Sequence, residues 1–150
     1  MQYIIEVLMA VVGAVAFSVI FNIHGKKLII TGIGGAITWS TYLLVYNFTN
    51  NVFVSCLLAT IVIMFYTELM ARVSKNPVII LLVPMLVPMV PGGDLYYMMA
   101  NVVMDNSELG RFYGQKLVLE VGAIAFGIIL VSTAIQIERR IRSYLLLNRK

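Results

Sequence analysis

The sequence predicts an all-α polytopic membrane protein: a bundle of five transmembrane segments, the fourth broken by proline and glycine, with the N-terminus outside and the C-terminus inside. Three observations carry this. Of the 150 residues, 61 % are hydrophobic and 12 % charged, with a mean hydropathy of +0.94, outside the range of soluble domains. The apolar residues come in blocks of about the length that one bilayer crossing requires, separated mostly by short polar connections. Lys and Arg give a net charge of +4. They sit at the ends of the blocks without interleaved aromatics, so they read as topology signals and exclude a nucleic-acid partner.

The first segment runs from Tyr3 to Phe21. Its Ala14-Val15-Ala16 has the look of a signal-peptide cleavage site, but Glu6 stands where a basic n-region belongs, so the segment reads as a mature helix. After Asn22 to Lys27, the second spans Leu28 to Tyr46. Its hydroxyls Thr31, Thr38, Ser40 and Thr41, with Trp39 among them, are expected to bond back to the helix backbone in preference to a substrate. His24, in the connecting loop, has no acidic or cysteine neighbour and reads as an exposed loop residue.

The third segment, Val52 to Met70, follows Asn47 to Asn51. It holds Cys56, the single cysteine, which excludes an intrachain disulfide, leaves no zinc site and suits a small buried hydrophobe. Glu68 and Arg72 share a helical face at the inner end and are expected to pair. As an intramembrane carboxylate, Glu68 is also the candidate for a gate or a proton-linked group.

The fourth segment, residues 77–104, is discontinuous. Pro84, Pro88 and Pro91 each remove a backbone donor, and Gly92-Gly93 lets the chain leave helical geometry. Counting from Pro77 at about 1.5 Å per residue puts Pro91 roughly 21 Å into a hydrocarbon core about 30 Å thick. Freed backbone groups at that depth survive only when packed in protein or lining a polar cavity. A substrate-site helix and a proline-kinked structural helix fit this equally well. A helix starting near Asp94 would point its positive end at the break and favour an anion. Asp94 itself is expected to cap that helix, with proton carriage or binding of a substrate amine as the alternatives.

The fifth segment, Leu117 to Ile137, begins beside Lys116 and holds Glu120, four residues on, an expected interfacial pair. A basic tail, 138–150, closes the single membrane domain. With the N-terminus outside, Lys26, Lys27, Arg72, Lys75, Arg139, Arg140, Arg142, Arg149 and Lys150 face the cytoplasm, nine of the eleven basic residues, leaving Arg111 and Lys116 outside. Small residues at four-residue spacing (Ala10, Ala14 and Ser18; Gly32 and Ala36; Ala123 and Gly127) predict close helix packing, within the chain by preference, with a higher oligomer left open.

No phosphate loop, nucleophile elbow or His-Glu metal motif occurs, so neither an enzyme nor a cofactor or metal site is expected. In their order, Phe21-Asn22-Ile23, Lys26-Lys27-Leu28, Gly35-Ala36, Trp39, Glu68, Ala71-Arg72, Pro77, then Pro84, Pro88, Pro91-Gly92 and Tyr97 resemble the threonine/serine exporter superfamily. The chain is most similar to the small subunit of its split, two-gene form (YjjB-like). It departs from that pattern at Ile23-His24-Gly25 and at Asp94. The resemblance implies export of threonine, serine or succinate from a bacterial cell across its inner membrane, driven by the proton motive force. It also implies a larger five-span partner subunit, with the bilayer as the surrounding medium. It makes Pro84, Pro88, Pro91, Gly92 and Tyr97 pathway or hinge residues, to which Gly93 and Asp94 are joined by position, and Glu68 with Arg72 a gate or ion pair. The alternative is an accessory subunit that stabilises a partner without touching substrate.

Overall fold

The computed structural model describes residues 1–147; Arg149 and Lys150, placed in the cytoplasmic tail by the sequence, lie outside the described residues, as does the side chain of Arg142. The described chain is all-helical: α1 (Gln2–Ile20), α2 (Lys26–Thr49), α3 (Val52–Ser74), α4 (Val78–Leu86), a 3-10 turn (Val87–Met89), α5 (Gly92–Val103) and α6 (Ser107–Leu147). α1, α2, α3 and α6 are each long and apolar enough to cross a bilayer. α4 with its 3-10 turn and α5 meet the same criterion only together, bent by 56°, the geometry of a broken span or a re-entrant loop.

Helices overrun the segments read from hydropathy. α6 has 41 residues and, at 1.5 Å per residue, reaches about 60 Å, twice the hydrocarbon thickness. It absorbs the end of the expected outer connection, Gly92 to Lys116, and much of the expected tail. The reason is physical: Arg111, Lys116, Glu138 and Arg139 are good helix formers, so charge ends the apolar run without ending the helix. The chain turns instead where single residues adopt left-handed geometry, at Asn22, Asn50, Lys75 and Asp105. Asn and Asp tolerate that conformation best. The Asn51 side chain then accepts from Val54 N–H at 3.2 Å and caps α3.

α4 and its 3-10 turn are the centre of the bundle, packed by α1, α2 and α3, while α6 lies along α3 and pairs with α5. Leu81, Pro84 and Met85 are fully buried against Ile63 and Ala59 of α3. Three of the hydroxyls bond back to the helix as expected, Thr31 to Leu28 O at 3.0 Å and Thr38 to Gly34 O and Thr41 to Ile37 O at 2.8 Å; Thr31 also accepts from Ser18 of α1 at 2.7 Å. His24 is exposed, with Nδ1 2.9 Å from Asn22 O.

Close packing within the chain is also as expected, though α2 approaches the backbone of α1 most closely at Gly35 and not at the Gly32/Ala36 pair. A Cβ at Gly35 would fall 2.6 Å from Ala14 Cβ and 3.0 Å from Ala10 O. The backbone of α1 is one of those contacts, so a side chain must force α1 and α2 apart. Gly35→Ala is therefore expected to cost about 1–3 kcal/mol. Gly13→Ala, on the facing helix but with nothing within 4 Å of the added carbon, should be neutral or gain up to about 1 kcal/mol. Thermal unfolding of the two variants in detergent checks the contrast.

Candidate functional site

The helix leaves its path two residues before the first glycine. Val90 is extended (φ −65°, ψ 125°) and Pro91, with ψ 57°, is the N-cap of α5, so Gly92 and Gly93 form the first turn of that helix. This corrects the expectation that the glycine pair is itself the unwound segment. Neither glycine has a positive φ. What they contribute is room: a Cβ at either would meet nothing within 4 Å. Both border a cavity of about 230 Å³ held between the break and the bundle.

Pro88 and Pro91 form one wall of this cavity, Trp39 and Tyr42 of α2 another, and Cys56 of α3 a third. Trp39 and Tyr42 lie about 10 to 15 Å inside the end of α2 at Thr49, at 1.5 Å per residue. Mid-helix residues of α2 and α3 thus cover one side of the break, while Val90, Gly92 and Gly93 are exposed on the other. Trp39 stacks on Tyr42 with ring centroids 5.1 Å apart, and Tyr42 on Tyr46 at 5.9 Å, a ladder that fixes the α2 wall.

Three charged groups converge here from two helices. Asp94 on α5 and Glu120 on α6 flank Lys116, whose Nζ is 2.8 Å from Asp94 Oδ2 and 3.8 Å from Glu120 Oε1. Glu120 is buried and Asp94 partly so, with side chains 8 % and 13 % exposed, against 37 % for the lysine. The Lys116–Glu120 pair is the expected one. The role of Asp94 differs from expectation: no side chain caps α5, and Asp94 sits within its first turn, turned toward Lys116. A full ammonium at 2.8 Å outcompetes amide dipoles for a carboxylate. The capping reading fails for that reason, and the amide-rich end of α5 stays open toward the break.

Two polar atoms are left without a hydrogen-bond partner among the buried side chains of the described residues: Trp39 Nε1 and Glu120 Oε2. Both residues line the cavity. Trp39 also borders a second groove against Glu6, Ala10 and Gly13 of α1, so the unpaired acceptor of Glu120 is the one that belongs to this cavity alone, and a polar ligand or a proton there would complete its bonding.

Of the residues proposed from sequence, Pro88, Pro91, Gly92, Gly93 and Asp94 come together at this cavity. Pro84 does not line it; it is buried inside α4. Tyr97 does not line it either, and stacks on Tyr113 with centroids 5.3 Å apart, holding α5 to α6. Glu68 and Arg72 lie elsewhere, about 18 Å from Cys56 along α3. There Arg72 Nε donates to Glu68 Oε1 at 3.1 Å, and Arg139 of α6 donates to the same oxygen, so the expected pair is a three-membered clamp between α3 and α6. Sequence reading missed Trp39, Tyr42, Cys56, Lys116 and Glu120 as cavity residues. Trp39 was marked only by the family resemblance, Cys56 only as a small buried hydrophobe, and Lys116 and Glu120 only by their i, i+4 spacing. No group of three or more His, Cys, Asp or Glu able to hold a metal occurs among the described residues.

No curated protein and no solved structure matches the chain. The sequence profile of one family does, described as Threonine/Serine exporter, ThrE, over residues 6–134. That stretch contains the broken helix, the cavity and every residue that lines it. On this match the chain is a multi-pass membrane protein belonging to the threonine/serine exporter family.

Proposed function

We propose that this chain is one subunit of a bacterial secondary exporter. It moves small amino acids, threonine or serine, or a related carboxylic acid such as succinate, outward across the inner membrane, driven by the proton motive force, beside a larger five-span partner. The observation that carries the reading is the charged cavity at the helix break. Lys116 and the open N-terminus of α5 suit a carboxylate; Asp94 and Glu120 suit an ammonium; Trp39 Nε1 offers a donor for a hydroxyl. Broken helices at mid-membrane are where transporters place such sites.

Five spans with the N-terminus outside agree with the charge distribution. Only two of the eleven basic residues, Arg111 and Lys116, are left outside. An odd number of spans also lets a five-span partner run inversely and complete a repeat pair. α5 has no buried residue, and its Leu95, Tyr96, Met99 and Val102 face outward, leaving apolar surface for lipid or for that partner.

The test is efflux of labelled threonine, serine and succinate from cells carrying both subunits or the partner alone. Cells without this chain are expected to retain substrate. Pro91→Ala, which restores a backbone donor and frees φ at the N-cap of α5, is expected to abolish efflux while the protein still inserts. Full-rate efflux by the partner alone would leave this chain the role of an accessory, assembly-stabilising subunit.

A further inference from the structure

We propose that Glu120 is the group at which a proton and the amino group of the substrate exchange. The inference rests on the exporter reading of the cavity and assigns the coupling within it. Glu120 is 6 % exposed, its Oε1 lies 3.8 Å from Lys116, and its Oε2 is buried with no donor. A carboxylate oxygen withdrawn from water and left unpaired is costly. Two occupants relieve that cost: a proton on the oxygen, or a cationic N–H donor against it. They exclude each other, and that exclusion is what an exchanger needs.

The surroundings make the competition selective. Facing Glu120 are Lys116 from its own helix, Asp94 from α5, Cys56 from α3 and Tyr42 from α2. Lys116 is the one cation among them, 2.8 Å from Asp94 and 3.8 Å from Glu120 Oε1, so a single positive charge is shared by two carboxylates and the Oε2 side of Glu120 is left to be balanced by whatever enters. Open to the cytoplasm, the substrate –NH3⁺ docks on the Glu120 carboxylate as the proton it held departs inward. Open to the outside, a proton adds to the carboxylate, and the neutral acid releases the ammonium. One cycle carries one amino acid out and one proton in, with no change of oxidation state. Glu68 does not qualify for this role, because Arg72 and Arg139 already satisfy it.

Trp39 is the chain's single tryptophan and lines the same cavity, so its fluorescence reports occupancy. The full chain in lipid nanodiscs is titrated with L-threonine, L-serine and succinate from mildly acid to mildly alkaline pH. For the amino acids a saturable response is expected whose apparent affinity weakens as pH falls, by up to about tenfold per unit for one proton competing with one ammonium. In Glu120→Gln, binding weakens about tenfold or more and the pH dependence disappears. In Glu120→Asp the pH dependence persists with a displaced midpoint, which decides the matter if the glutamine variant fails to accumulate. Wild-type pH dependence in Glu120→Gln, an unmoved midpoint in Glu120→Asp, or pH-independent amino-acid binding by the wild type overturns the exchange while leaving the exporter site intact. No response to any of the three compounds at any pH overturns the site itself.

Discussion

Gly92→Leu and Gly93→Leu are expected to bring export down to the level of cells lacking the chain, while the protein continues to fold and insert. The two halves of this result have separate causes. Export is expected to fall because both glycines border the cavity, so bulk added at either is added at its rim, beside the proposed path. Folding is expected to be kept because the first added carbon meets no neighbour within 4 Å and both positions are exposed. Both residues are helical with ordinary φ, so a side chain at either position also relieves the entropic cost of glycine. Gly92→Ala is accordingly expected to raise stability by about 0.4–1 kcal/mol with export reduced only in part. The measurements are labelled-threonine efflux and protein content of the membrane fraction. Export at the wild-type rate in both leucine variants would remove the cavity from the transport path. Loss of protein from the membrane would show that these glycines serve packing.

What could be read from the chain beforehand divides along a physical line. Long apolar runs are dictated by the bilayer and by the helix rise alone, so the four continuous spans and the broken fourth segment were visible in the order of residues. The prolines marked the break because a missing donor acts locally. Helix ends were misplaced where the apolar run stops and the helix does not, as at Lys116 in α6, since hydropathy reports the solvent and not the backbone. Contacts four residues apart were equally legible: Glu68 with Arg72 and Lys116 with Glu120 pair as their spacing requires. Their third members were not. Asp94 reaches Lys116 only because a left-handed turn at Asp105 folds α5 back on α6, and Arg139 reaches Glu68 only because α6 runs along α3. Nothing in the one-dimensional pattern links positions so far apart, and for the same reason Trp39, Tyr42 and Cys56 could not be joined to the break.

The clamp at the other end of α3 gives the second large effect. Glu68 is buried, at 7 % exposure, and a single oxygen takes both guanidinium groups. Arg72 and Arg139 are themselves half-exposed, with side chains 48 % and 60 % accessible, so each alone is a solvated partner whose loss is expected to cost about 1 kcal/mol or less. The remaining arginine still balances the carboxylate. Removing both leaves a buried, uncompensated charge, for which about 3–5 kcal/mol is expected, well above the sum of the single losses. The double variant Arg72→Ala with Arg139→Ala should therefore melt far below either single variant in detergent. Adding Glu68→Leu to it should restore most of the loss, because the stranded charge has gone. If the clamp also gates the pathway, the triple variant will be stable and yet altered in efflux. If it only fastens α6 to α3, stability and efflux will recover together. Strict additivity of the single arginine losses would show that Glu68 is compensated by other means and that the clamp does not hold the two helices.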